Sequence, residues 1–252
     1  MEHSRRQHLI LEELKESGAI RVRTLADRFS VAEMTVRRDL EQLERKGLLV
    51  RRYGGALKAA AADSLFSFAE RQGMHKVEKK AVGLAASGLI RDNETVFIDC
   101  GSTPFQIAVH LAGRALRVIT NSLPVVSELI HAPRIRLTFI GGEIVNDRRS
   151  SQGPVAEKVL SAYRADKAFI GADGVSLKNG LSAYNEPEGL VSRKMADQAK
   201  EVYLVTDSSK LERDSFFKYA PLDCLTAIIT DSRADGALVA GYRRQGIKVI
   251  LA

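Results

Sequence analysis

The sequence predicts an α/β protein in two parts: a small N-terminal domain of three helices with a short β-ribbon, then a larger, open, mainly parallel α/β sheet domain. Three observations lead there. At 252 residues and 45% hydrophobic content the chain exceeds one ordinary domain of roughly 100 to 200 residues and can fill more than one core. Helical periodicity broken by turn residues dominates the first 58 positions. Beyond Lys76, seven short β-rich runs alternate with helical stretches, the pattern of a parallel sheet covered by helices.

From Arg5 to Ser17, Ile10, Leu11 and Leu14 lie on one helical face, and Gly18 is placed to end the helix. Ala19 to Val22 reads as a short extended piece. The next helix is brief, Thr24 to Phe29, with Leu25, Ala26 and Phe29 on one side and Thr24 as its expected cap. Ser30-Val31-Ala32 then turns into a helix from Glu33 to Lys46, buried through Val36, Leu40 and Leu43 and stopped by Gly47. Three helices with a tight turn before the last form the helix-turn-helix plan. After Gly47, the run from Leu48 to Ala56 alternates towards a two-stranded wing.

The polar face of the last helix carries Thr35, Arg37 and Arg38. A helix in the major groove reads base edges and phosphates from its N-terminal half, and Arg can bind guanine bidentately. Arg51, Arg52 and Lys58 in the wing are placed to reach the flanking phosphate backbone. Charge agrees: the net +7 is uneven, with 13 Lys and Arg against 9 Asp and Glu in residues 1–58 and 25 against 22 in the remainder. Any one Arg would suit a solvated helix equally well. The whole three-helix-plus-wing pattern makes operator double-stranded DNA the expected partner, and such domains usually act as homodimers or higher homo-oligomers.

Residues 1–58 are thus expected as the DNA-binding domain and 59–75 as a linker, which holds an alanine run and offers Phe66 and Phe68 for docking. Residues 76–252 are the expected sensing domain. Its strands should span Thr95–Asp99, Arg117–Thr120, Arg136–Ile140, Lys167–Ile170, Val202–Thr206, Ala227–Thr230 and Lys248–Leu251. In open sheets of this kind ligands bind at the carboxyl ends of the strands. There the sequence puts Asp99-Cys100-Gly101-Ser102-Thr103-Pro104, then Asn121-Ser122, Gly141-Gly142 and Asp173-Gly174. A Gly-Ser-Thr turn opening a helix near Pro104 would offer free amides and hydroxyls to a phosphate. One such loop can be a plain βα turn; four polar strand ends on one edge favour a ligand pocket.

These residues also carry a family resemblance. Val-Ala-Glu-Met-Thr-Val-Arg-Arg-Asp-Leu from Val31, the wing Arg-Arg-Tyr-Gly-Gly-Ala, and in the larger domain Phe97 to Thr103, Ile119 to Leu123, Ala165 to Gly174, Asn185-Glu186 and Thr206 to Lys210 resemble the DeoR family of bacterial transcription regulators. The sensor fold of that family is similar to sugar-phosphate isomerases and CoA-transferases. The resemblance implies that Gly101, Ser102 and Thr103 hold the phosphate of a phosphorylated sugar, that Asp99, Asp173 and Glu186 hold its hydroxyls, and that Lys210 meets the anion. Lys79, Asn121, Gly141, Gly142 and Gly174 complete the expected pocket. Three departures stand out: Ala32 where the family has a Ser N-cap, Pro187 inside the acidic run, and Glu212 where Gly is common.

Other chemistry finds no support in the residues. GxxxxGK[ST] and GxGxxG are absent, the five histidines lack metal-ligand spacing, and no nucleophile elbow occurs, so neither cofactor nor metal is expected. Cys100 and Cys224 are too few for a disulfide framework and should be reduced. No apolar stretch of about 18 residues occurs, which makes the expected location cytoplasmic. The expected function is a repressor of a carbohydrate operon released from DNA by a phosphorylated sugar. An isomerase-type enzyme carrying a DNA-binding domain is the alternative, since Asp99, Asp173, Glu186 and Lys210 could transfer protons. An activator, or an architectural binder with an empty pocket, is another.

Overall fold

Apolar residues three and four apart build the N-terminal unit. The computed structural model describes residues 3–17, 19–45, 49–52, 54–58 and 67–252, and the chain divides into Met1–Phe66 and Ser67–Ala252. The first unit holds α1 (His3–Ser17), β1 (Ala19–Arg21), α2 (Val22–Phe29), α3 (Glu33–Arg45), β2 (Leu49–Arg52) and β3 (Gly55–Lys58). The expected stops Gly18 and Gly47, the end of α3 at Lys46, and Tyr53 of the wing lie outside the described residues.

Ile10, Leu14, Leu25, Phe29, Val36, Leu40 and Leu43 are buried together, as the periodicity required. Each contributes roughly 1.5–3 kcal/mol. A buried fork reinforces them: the Arg6 Nη2 donates to Asp39 Oδ1 at 3.2 Å and its Nε to Oδ2, tying α1 to α3.

Two details differ from expectation. Helix α2 begins at Val22, not at the expected cap Thr24; its cap is Arg21, without a side-chain bond. The chain leaves β1 directly into the helix because the Val22 N–H donates to Gly54 O at 2.8 Å while its side chain is buried. The wing is three-stranded, in the order β1-β3-β2, all antiparallel. Gly55 permits it, since a Cβ there would lie 2.0 Å from Ile20 O.

The second unit runs α4 (Phe68–Gly73), α5 (Lys76–Ser87), β4 (Thr95–Ile98), α6 (Phe105–Ala108), β5 (Leu116–Thr120), α7 (Leu123–Leu129), β6 (Ile135–Phe139), β7 (Glu143–Val145), β8 (Ser150–Gln152), α8 (Pro154–Leu160) and β9 (Ala165–Ile170). It continues with β10 (Gly174–Ser176), β11 (Gly180–Ala183), α9 (Glu186–Asp197), β12 (Ala199–Val205), β13 (Phe217–Ala220), β14 (Ala227–Thr230), α10 (Gly236–Arg244) and β15 (Val249–Leu251). Seven strands form one sheet in the order β15-β14-β12-β9-β4-β5-β6, each neighbouring pair parallel. They are the seven expected runs, with ends shifted by up to three residues. Alternation within them serves two cores: Phe97 and Ile170 face the one with Val191 and Met195 of α9, Ile98 and Phe169 the one with Val82 of α5.

Of the expected linker 59–75, residues 59–66, with Phe66, lie outside the described residues. Residues 67–75 belong to the α/β unit. Ser67 caps α4 in a capping box with Glu70, and Phe68, 3% exposed, stands edge-on to Phe105 at 5.7 Å between ring centres. Two small antiparallel sheets, β7-β8 and β10-β11-β13, were not expected. Their strands have three or four residues, too short for periodicity to declare.

Candidate functional site

On α3, Arg37 and Arg38 are exposed and Thr35 is half-buried. Arg37 donates along the helix to Glu33 at 3.3 Å, a pair too exposed to hold it firmly. Arg38 is exposed, and its side chain bonds no described residue. In the wing, Arg51 is exposed beside Glu44, its N–H donating to Glu44 Oε1 at 2.9 Å. The side chains of Arg52 and Lys58 lie outside those described. Arg37, Arg38 and Arg51 are thus all exposed cations, the kind of side chain that contact with a polyanion uses.

The second site follows from the strand order. From β4 the chain steps outward through β5 to β6, whereas β9, β12, β14 and β15 step the other way, so the switch point lies between β4 and β9. Ligands of open α/β sheets bind at such a point, outside the carboxyl ends of the strands. Here those ends are stitched together: Asp99, after β4, accepts from Gly171 N, after β9, at 3.1 Å and from Ser192 Oγ at 2.7 Å, and its other oxygen accepts from Cys100 N. Burial pushes the Asp99 carboxyl above its usual range despite these donors. With both oxygens engaged, Asp99 braces the site.

Next to it lies the Gly101-Ser102-Thr103 loop. Ser102 and Thr103 are buried, yet neither hydroxyl bonds a described residue, and the amides of 101–103 donate to none. Three N–H groups and two hydroxyls therefore stand open in one short turn. Helix α6 after it spans four residues, so the donors come from the turn itself and not from a long helix dipole. Pro104 packs against Gly171, where a Cβ would meet Pro104 Cγ at 3.4 Å.

Around the loop the charges are buried and mutually engaged. Arg148, 3% exposed, donates from Nη2 to Asp173 at 3.3 Å and pairs through Nε with Glu188 at 3.1 Å. Asp173 also accepts the Tyr184 N–H at 2.9 Å. Burial would raise the Asp173 carboxyl, but Arg148, Lys210 and Arg71 together hold it below the ordinary value. For Glu188 burial wins: the carboxyl is raised, with Asp173 adding to the effect and Arg148 opposing it. Lys79 donates to Arg71 O at 2.7 Å and lies 3.9 Å from Asp207, which Lys79 and Lys210 hold below the usual range against its burial.

The structure thus brings Lys79, Asp99, Gly101, Ser102, Thr103, Asp173 and Lys210 to one sheet edge. Glu186 does not join them: it is exposed at the start of α9, and the buried carboxylate is Glu188, which shares the Asn185 cap. Asn121 is fully buried, its Nδ2 donating to Ser151 O at 3.1 Å, and acts as a brace. Gly141 and Gly142 are exposed, and a Cβ at Gly142 would sit 2.6 Å from Gln152 O, so that glycine serves the approach of the β7-β8 hairpin. Gly174 likewise clears Arg213 O, which a Cβ would approach to 2.5 Å. Sequence reasoning missed Arg71, Arg148 and Glu188. For Arg71 a signal existed, the Ser67-to-Glu70 capping pattern that turns its surroundings into a helix; Arg148 and Arg149 are adjacent and only folding shows which is buried.

Comparison with known proteins agrees with this division. A family model described as DeoR-like helix-turn-helix domain matches residues 6–60, and one described as DeoR C terminal sensor domain matches residues 74–232. The chain is 33% identical over 252 residues to a putative aga operon transcriptional repressor of Escherichia coli O157:H7, covering 98% of this chain and 93% of that protein. It is 37% identical over 237 residues to the lactose phosphotransferase system repressor of Lactococcus lactis subsp. lactis, covering 92% of each. Among solved structures, a ribose 5-phosphate isomerase of Methanocaldococcus jannaschii overlaps 54% of each chain at TM-score 0.41 and 20% identity.

Proposed function

The chain belongs to the DeoR family and is a helix-turn-helix transcription regulator rather than an enzyme, and on that premise we propose that it represses a carbohydrate-utilisation operon and leaves its operator when a phosphorylated sugar fills the strand-end pocket. The observation that carries the reading is the Gly101–Thr103 turn at the switch point of the sheet, whose amides and whose two hydroxyls, on largely buried residues, bond no described residue. Donors of this kind suit a phosphate, and neutral donors in a turn can hold it without a metal. Lys79 and Lys210 supply positive charge nearby, and Asp173 with Glu188 faces the hydroxyl-bearing part of the ligand.

Operator reading falls to Thr35, Arg37 and Arg38 in the major groove, with Arg51, Arg52 and Lys58 on flanking phosphates. Release is a population shift: the ligand prefers the arrangement in which paired DNA-binding units no longer match the half-site spacing, and the acting species is a homodimer or larger homo-oligomer. The relatives named as a putative aga operon transcriptional repressor and a lactose phosphotransferase system repressor support this choice over activation. The test is fluorescence anisotropy of the chain on DNA from upstream of its own gene, titrated with phosphorylated sugars and their unphosphorylated counterparts. Release by a phosphorylated sugar, and by no free sugar, is expected. DNA affinity indifferent to every metabolite, or steady conversion of one of them, would overturn the proposal.

A further inference from the structure

The pocket contains cationic donors that the described residues leave unused. Among the described residues Arg71, 8% exposed, makes no ion pair and no side-chain hydrogen bond, and its buried Nε and Nη2 have no partner there. Arg148, 3% exposed, spends Nε and Nη2 on Glu188 and Asp173, while its buried Nη1 has no partner. Both guanidiniums act on the same two carboxylates and on Cys100, so they share one neighbourhood beside the Gly101–Thr103 turn. An Arg does not escape burial by giving up its proton, unlike Lys or His, so a buried and unpartnered guanidinium asks for an acceptor. Two buried guanidiniums acting on the same carboxylates, with three nitrogens unpartnered, suit the planar fork by which arginines hold carboxylate and phosphate oxygens.

We propose that Arg71 and Arg148 form an anion subsite of the sensor pocket, which receives an acidic group of the ligand, phosphate or carboxylate, through Arg71 Nε and Nη2 and Arg148 Nη1. This deepens the sensor reading above and rests on it. Arg71 is the free cation of the pair. Arg148 is the coupled one: drawing it towards a ligand anion loosens its hold on Asp173, at the end of β9, and on Glu188, in α9, so occupancy of the subsite reaches two elements of the fold.

The test uses the full-length chain without DNA and inorganic phosphate as the probe, with acetate and chloride at matched ionic strength, read by thermal shift. Phosphate is expected to raise the melting temperature of the wild type; a rise with acetate as well would mark the subsite as one for carboxylates too. Arg71→Met breaks no ion pair, so it should fold and melt at or above the wild-type temperature without phosphate, while its apparent phosphate affinity falls at least tenfold. Arg148→Lys, which keeps a charge beside Asp173 and Glu188, should lose the fork and fall similarly. A structural Arg71 would instead lower the melting temperature and leave the phosphate response intact, which would overturn the proposal. So would a wild type that ignores phosphate, or a response lost only in the Ser102→Ala/Thr103→Ala variant. Because no operator is present, failure here leaves operator release by phosphorylated sugars standing, and failure of that release leaves this subsite standing.

Discussion

The two units of the chain place their functional charges in opposite ways. In Met1–Phe66 the arginines that can read DNA stand in solvent on α3, and the charges that hold the fold, Arg6 and Asp39, are buried behind them. In Ser67–Ala252 the charges of the pocket are themselves buried and hold one another, Arg148 between Asp173 and Glu188, Lys79 against Asp207. A polyanion is met at a surface, where exposed cations release counterions on contact. A small ligand is met by donors already desolvated and fixed, which costs less ordering at the moment of binding. Function and stability should therefore be separable in the first unit and entangled in the second.

The largest effect tests separability from the inside. Asp39→Ala removes the buried fork between Arg6 and Asp39 and should destabilise the N-terminal unit by about 3–5 kcal/mol, abolishing DNA binding through loss of fold. Calorimetry should show the transition of the α/β unit unmoved. A single shared transition shifted as a whole would break the comparison.

Asp173→Asn probes the entangled side. Losing the charged partner of Arg148 should lower the stability of the α/β unit by about 1.5–3 kcal/mol and also weaken effector-driven release. Asp173 is held below the ordinary aspartate value near 4, so the stability it contributes is present above about pH 4 and is lost as pH falls. The variant should lack that part of the acid loss, which denaturant titrations across pH 3–6 would reveal. Stability kept while release is lost would show the pocket to be as separable as the DNA face.

Arg38→Ala sharpens the first half. Operator affinity should fall by about 1–3 kcal/mol with relaxed preference at one base position per half-site, and the melting temperature should not move. A shallower salt dependence with sequence preference intact would reassign Arg38 to a phosphate. The smallest effect is a gain: the Ala32 carbonyl accepts the Thr35 N–H at 2.9 Å, but its side chain offers no cap, so Ala32→Ser should stabilise the unit by about 0.5–2 kcal/mol in urea titrations.

The same contrast explains what the sequence made legible. Helix periodicity and strand alternation report which residues face a core, so α1, α3, all seven sheet strands and the outward Thr35-Arg37-Arg38 face could be read directly. Strand ends are local too, hence Asp99, Ser102, Thr103 and Asp173. Arg148, in a hairpin, could not be read, and of Arg71 only its helix could, from the Ser67-to-Glu70 cap, because both come to act on Asp173 only after the chain folds. The family resemblance implies Glu186, yet Glu188 is the buried carboxylate: two residues along a helix decide between solvent and interior, and Asn185 as cap sets that phase. The start of α2 differs from expectation because Thr24 is a good cap by type, while the hydrogen bond that fixes the start runs from the Val22 N–H to Gly54 O, thirty-two positions on.

The most direct test of the account is one titration, in which the active phosphorylated sugar is added to operator complexes of the wild type and of Ser102→Ala/Thr103→Ala. The variant loses two hydroxyl donors at the β4 turn and keeps the backbone amides, while the α3 face is untouched. Each charged hydrogen bond lost should cost about 1.5–3 kcal/mol. The account predicts wild-type operator affinity without ligand, and release only at ligand concentrations at least tenfold higher. Release of the variant at wild-type concentrations would contradict it, making Gly101-Ser102-Thr103 a plain βα turn and placing the phosphate elsewhere.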